Sequence, residues 1–221
     1  SLSAGLFSNL ENIIEDQLFS RERGDSWIVI LAIDDAARSE YGQWPWPRAT
    51  FATLFEKLEK DMPAAVALDV MFAEKSRLGA ADDAQLAETL ADISYPLVMP
   101  IEIRSEREAI VPLSQFVTNG SVSLGHVNLV VDADGVVRKY QPLQKYGSEK
   151  YLSFGLLAVE NTGTNIYAET LGAEERIAYA AAPGGIKRLS FKDAMAREAG
   201  FFKDKIVFIG ATAQDLHDEQ Q

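Results

Sequence analysis

Residues 27–35 read Trp-Ile-Val-Ile-Leu-Ala-Ile-Asp-Asp, an unbroken apolar run closed by two carboxylates. Polar and apolar residues do not alternate along it, so a strand here is buried on both faces, as in the interior of a parallel sheet. Two further stretches share this character. Residues 64–70 (Ala-Ala-Val-Ala-Leu-Asp-Val) and residues 205–209 (Lys-Ile-Val-Phe-Ile, followed by Gly210-Ala211) also read as interior strands. What lies between them has helical period: Phe51, Leu54, Phe55 and Leu58 share one face of a helix over 48–60, and Leu86, Leu90 and Ile93 share one face of a second over 82–93. Asp82 or Asp83 is the natural cap of the second. A third strand covers 95–103, punctuated by Pro96 and Pro100. Alternation of this kind predicts right-handed crossovers and parallel neighbours.

Outside this frame the pattern changes. Residues 121–131 and 136–143 are strand-like, and Asp132-Ala133-Asp134-Gly135 between them supplies turn chemistry, so an antiparallel hairpin is inserted. Residues 153–160 read as helix, a short strand is expected near 176–180, Gly184-Gly185 is a turn, and Ser190 caps a short helix over 191–198. At the other end, residues 2–19 carry Leu6, Leu10, Ile13, Ile14 and Leu18 at spacings of three and four, an amphipathic helix stopped by Gly24. The expected architecture is α/β: a central mixed sheet flanked by helices, with a hairpin insertion and an N-terminal amphipathic helix. Residues 1–24 form the lead-in helix and linker, and residues 25–221 a single domain.

Composition narrows the function. The 221 residues carry a formal charge of −12, which repels phosphate backbones and excludes nucleic acid as a natural partner. No cysteine is present, so thiol catalysis, thiolate zinc sites and disulfides are excluded. No apolar run is long enough to cross a bilayer.

Several residues could carry chemistry. Asp34 and Asp69 close two parallel-type strands, and ligands of open α/β sheets bind at such carboxyl ends. With Asp35 they define either a metal or acid site or a set of caps and ion-pair partners for arginines. Receiver domains of two-component signalling resemble this placement, but their Ser/Thr and Lys positions have no counterpart: the strand through Val98 runs into Pro100 and Glu102, and the strand from Lys205 ends in Gly210. Gly42-Gln43-Trp44-Pro45-Trp46-Pro47-Arg48 joins two X-Pro bonds to a helix start, implying an extended, rigid segment. Trp44 and Trp46 would then form either an aromatic ligand wall, with Arg48 as carboxylate clamp, or a corner packed over the sheet edge. The Asp132–Gly135 turn opens like a calcium loop but lacks the remaining oxygen ligands, and Arg138 reads as a partner for a strand-end carboxylate. At least one of Arg48 and Arg138 is expected to bond Asp34 or Asp69. His126 and His217 are isolated and accompany no serine nucleophile pattern.

The order of these pieces resembles a known family. Ile28 to Asp34, the Trp-Pro-Trp-Pro-Arg segment, Ala67-Leu68-Asp69-Val70-Met71-Phe72, Gly125-His126-Val127-Asn128, Asp132-Ala133-Asp134-Gly135-Val136-Val137-Arg138 and Lys205 to Thr212 are together similar to CHASE sensory domains of the second type. These occur in bacterial adenylate or guanylate cyclases, histidine kinases and serine/threonine kinases. The resemblance implies an extracytoplasmic, non-enzymatic sensor in a membrane-anchored parent protein, joined through flanking helices to a cytoplasmic output domain. It implies an unidentified small-molecule or protein signal; the missing ligand cage, nucleophile and thiols predict no cofactor and no metal, and the narrow apolar stripe of residues 2–19 leaves room for a homodimer. The family's closing helix is absent after Asp215, so the domain is expected to be truncated at that end. The resemblance supplies no ligand and no catalytic residue; the candidate ligand-binding or structural network is Asp34, Trp44, Trp46, Arg48, Asp69, Asn128, Asp134 and Arg138. The rival reading is a metal-dependent enzyme or phosphoacceptor built on Asp34, Asp35 and Asp69.

Overall fold

The computed structural model describes residues 27–134, 137–167, 170–177 and 186–211. The amphipathic segment 2–19, the Gly184-Gly185 turn and His217 lie outside the described residues.

The expected interior strands form, as β1 (Ile28–Ile33), β2 (Ala65–Asp69) and, last in the chain, Ile206–Ala211. Helices α1 (Asp35–Tyr41) and α2 (Arg48–Asp61) connect β1 to β2, and α3 (Ala80–Asp92) leads to β3 (Leu97–Ser105). The middle of the chain adds β4 (Glu108–Ile110), β5 (Val122–His126), β6 (Val130–Val131), β7 (Val137–Tyr140), β8 (Leu143–Tyr146) and β9 (Glu149–Leu152). After these come α4 (Phe154–Glu160), β10 (Glu175–Arg176), β11 (Lys187–Ser190) and α5 (Phe191–Met195), and Ile206–Ala211 is β12.

A seven-stranded mixed sheet runs β11-β1-β12-β2-β3, with β3 extended by parallel β5 and antiparallel β4. The expectation that consecutive strands would be neighbours fails at one place. β12 lies between β1 and β2, in register Leu31↔Ile209↔Leu68, and parallel to both. The strand with the most continuous apolar run beside β1 comes from the far end of the chain, closing the sheet centre where both faces are covered.

Alternate residues face two unequal cores. Val29, Leu31, Ile33, Val66, Leu68, Leu97, Met99, Val207 and Ile209 pack against α2, α3 and α5 through Phe51, Leu54, Phe55, Leu58, Leu86, Leu90 and Phe191. Ala65, Ala67, Val98 and Ile206 pack on the opposite face against α4, around Ala158. The small residues on β2 let α4 approach closely. On β5 the approach is close at Gly125, where a Cβ would stand 2.8 Å from the Phe154 Cα.

The hairpin insertion is present, though shorter and differently paired than expected. β6, β7 and β10 make one antiparallel ribbon, and β8 with β9 makes a second. Three assignments are corrected. The segment 35–41, given no structure from sequence, is a helix whose N-cap is Asp34. β11, an edge strand reading Lys-Arg-Leu-Ser, lacked the apolar run that marked its neighbours. Helix α5 stops at Met195, short of the expected 198.

Candidate functional site

Beyond the carboxyl ends of β2 and β3 the chain leaves a cleft of about 600 Å³. β2 contributes Asp69 at its last residue, and the connection to α3 contributes Met71 and residues 73–78. β3 contributes Pro100, Glu102 and Arg104, and the α1–α2 connection contributes Trp44, Pro45, Trp46 and Arg48. Four residues singled out from sequence, Trp44, Trp46, Arg48 and Asp69, therefore share one cavity.

The tryptophan segment is a turn, not the extended rod expected: the Trp44–Pro45 bond is cis and the chain bends through residues 43–45. Trp46 is buried, donates its indole N–H to the Gly42 carbonyl at 2.9 Å, and contacts Phe191 with ring centroids 5.1 Å apart. Trp44 is half-buried, with ring contacts to Trp46 and Phe51. Trp46 belongs to the core, as the packed corner requires, while Trp44 rests on that core and lines the cleft.

Arg48 is already committed. Its Nε donates to Asp83 at 3.2 Å, an Nη donates to the Glu74 carbonyl at 2.8 Å, and the guanidinium lies 4.1 Å from the Phe72 ring centroid. It is thus no clamp for a ligand, and its carboxylate partner is not a strand-end residue. Asp82 plays a part that sequence assigned differently. Instead of capping its own helix α3, whose N-cap is Gly79, it accepts the backbone N–H groups of Arg48 and Ala49. That satisfies donors at the start of α2, where the N-cap Pro47 has no side-chain acceptor. Burial pushes the Asp82 carboxyl up, but the Ser76 hydroxyl, these two N–H groups and the charge of Arg48 outweigh it and hold it below the usual carboxylate value.

Asp82 and Asp83 also hold the 73–78 connection. The Ser76 backbone N–H donates to Asp83 at 2.9 Å, the Ser76 hydroxyl donates to Asp82, and Gly79 N–H closes on the Ser76 carbonyl. Ser76 is turned inward, and its neighbours Lys75 and Arg77 are exposed beside the cleft. Among the described residues Arg77 donates once, to the Pro45 carbonyl at 2.8 Å. These two cations escaped the sequence reading because charged residues in a loop look like ordinary solvated surface; the Asp82-Asp83 pair that holds Ser76 between them was the legible signal.

The remaining singled-out residues lie elsewhere. Asp34 accepts the Ala37 backbone N–H at 2.9 Å and the Ser190 hydroxyl at 2.7 Å, tying α1 to the end of β11. Asp35 is exposed in the first turn of α1, 3.6 Å from Arg38. Neither lines the cleft with Asp69, and among the described residues no group of three or more side chains could hold a metal ion. Asn128 accepts the Ile103 N–H at 3.0 Å and returns a bond to the Ile103 carbonyl at 2.7 Å, as a strand partner would. Arg138 forks onto Asp134 and also reaches Asp132 at 2.8 Å, all at the exposed hairpin. The carboxylate partner of Arg48 is thus Asp83, and those described for Arg138 are Asp132 and Asp134, where Asp34 or Asp69 was expected.

His126 ends β5 with only 1% exposure, and neither ring nitrogen has a hydrogen-bond partner among the described residues. Burial pushes its pKa below the usual histidine value.

The fold is thus a mixed α/β sheet with a semi-polar cleft at its strand ends, beside which Arg48, Asp82 and Asp83 hold the loops together. The chain belongs to the CHASE2 domain family, whose family model matches residues 1–221. CHASE2 domains are extracellular sensory domains and not catalysts. No curated protein and no solved structure matches the chain. Among the described residues no helix is long and apolar enough to cross a membrane.

Proposed function

We propose that this chain is the signal-input domain of a membrane-anchored bacterial signalling protein with a cytoplasmic cyclase or kinase output, and that the Asp69 cleft receives the signal. The observation that carries this reading is the cleft's construction within a sensory-domain family. Its lining comes from the ends of β2 and β3, the α1–α2 turn and the connection before α3. An occupant would touch all four at once, so its binding energy would bias their relative positions, which is what a sensor requires. The amphipathic segment 2–19, read from sequence, precedes β1 and would pass such a shift towards the membrane. A signal molecule or protein from outside the cytoplasm is the partner, and pairing of two copies through the lead-in segment is consistent with its narrow apolar stripe.

Topology tests the reading. The chain has no cysteine of its own, so Glu149→Cys, on the exposed β8–β9 hairpin, gives one defined label site in this region. In a parent protein freed of other cysteines, a membrane-impermeant maleimide should label it in intact cells. Labelling only after the cells are broken open would refute an extracytoplasmic position.

A further inference from the structure

We propose that the Asp69 cleft recognises a small organic anion, a carboxylate carried on an apolar body, through Lys75 and Arg77. This rests on the reading of the cleft as the signal site and adds the chemistry of the occupant.

The charge pattern is the first support. The chain is strongly acidic, yet Lys75 and Arg77 are the only basic residues between positions 61 and 103, and both stand in the connection that lines this cavity. Of the other cations there, Arg48 is engaged by Asp83 and the Glu74 carbonyl, and Arg104 by Glu102 and Glu108. Glu102 is likewise matched by Arg104, so that pair leaves no net demand. Among the described residues Lys75 makes no hydrogen bond or ion pair, and Arg77 uses one of its five N–H donors. A guanidinium with donors to spare and an ammonium two residues away in the same cleft-lining connection fit a carboxylate better than any neutral group.

Preorganisation is the second support. Ser76, between the two cations, is fixed through both its backbone and its hydroxyl to Asp82 and Asp83, and the Glu74 carbonyl is fixed by Arg48. Arg77 is itself tied to Pro45 across from its own loop. The two charges are therefore carried on backbone that is ordered before a ligand arrives, which removes part of the entropic cost of capture.

The third support is apolar. Leu78 keeps 59% of its surface exposed at the cleft, and Trp44 and Met71 line it as well. The Trp44 indole N–H has no acceptor among the described residues, whereas that of Trp46 is satisfied by Gly42. One aromatic surface with a spare donor, an exposed leucine and two cations in one cleft together describe a site for an amphiphilic anion. Asp69 and Glu74, also in the lining, would repel a group of high negative charge and favour a single carboxylate.

Benzoate is a suitable probe, with benzyl alcohol and benzylamine as its neutral and cationic counterparts. The three tryptophan indole N–H signals are followed by NMR in the intact chain, that of Trp44 being assigned through Trp44→Phe. Benzoate should shift the Trp44 signal saturably. Lys75→Gln combined with Arg77→Gln should weaken it at least about tenfold, the loss expected for one or more charge-assisted hydrogen bonds. Arg77→Lys should retain part of the affinity, and Arg138→Ala, at the distant hairpin, all of it. Equal or tighter binding of benzyl alcohol or benzylamine at Trp44, or benzoate binding unaffected by the double variant, would overturn the anion assignment while leaving the cleft as a ligand site. No response of Trp44 to any probe would also overturn it; the cleft reading itself is then judged on the parent's output, as below.

Discussion

Removing the Asp83 carboxylate should destabilise the domain far more than loss of an ordinary surface ion pair. Its side chain is 4% exposed and that of its partner Arg48 is 11% exposed. For an exposed pair the expected cost is about 0–1 kcal/mol, but stranding one member of a buried pair costs about 3–5 kcal/mol. Asp83→Ala falls in the second case: the Arg48 guanidinium loses its bonded carboxylate, keeping the Glu74 carbonyl, the Phe72 ring and the field of Asp82, and the Ser76 N–H loses its acceptor. The double variant Arg48→Met, Asp83→Leu removes both charges together and should recover most of the loss, since apolar replacement of a buried pair is often close to neutral. Urea unfolding of the wild type, both single variants and the double variant measures this, provided the slope m is unchanged. An Asp83→Ala cost below about 1 kcal/mol, or a double variant as unstable as the two singles added, would refute the claim that this pair anchors the cleft loop.

Three other outcomes follow from the same geometry. Gly125→Ala should cost about 1–3 kcal/mol, because the new methyl meets the Phe154 backbone and α4 must move; an unchanged melting temperature would show that α4 is not packed as described. Asp61→Ala leaves the Gly200 and Phe202 N–H groups, bonded to it at 2.8 and 3.1 Å, without their acceptor, at about 1–3 kcal/mol for each group left buried and unsatisfied, and denaturant melts read this directly. His126 is held neutral by burial, with a folded pKa below its unfolded value of about 6.5, so its contribution is intact above that pH and lost as pH falls below it. Melts from pH 7 downward should show this slope, and His126→Gln should remove it; a slope that survives the substitution would assign it to other groups.

How much of this was legible differs by element. β1, β2 and β12 could be read because burial on both faces demands continuous apolar residues, and Ile28 to Ile33 satisfies that without help from context. Their order could not, since nothing in residues 206–211 encodes insertion between β1 and β2 instead of beside them. β11 and α1 were missed for a shared reason: Lys187–Ser190 is a half-covered edge, and 35–41 is a short helix with only Ala37 buried, so neither has a full hydrophobic pattern. At the site, strand ends and the Trp-Pro turn led to Trp44, Arg48 and Asp69. The role of Arg48 was invisible because Asp83 is 35 positions away and reads, locally, as the cap of its own helix. Asp34, Asn128 and Asp134 show the converse: polar residues at conspicuous turns are absorbed by the backbone and side-chain groups beside them.

The central claim, that the Asp69 cleft is where the signal enters, is tested most directly on the output of the intact parent protein in membranes. Ala73→Trp fills the cleft from its own lining, and Arg138→Ala alters a comparable charge at the hairpin away from it. With both variants shown to be folded by circular dichroism, the account predicts that Ala73→Trp fixes nucleotide cyclisation or autophosphorylation at one level regardless of stimulus, while Arg138→Ala responds as the wild type does. An unchanged response in the Ala73→Trp protein would contradict it.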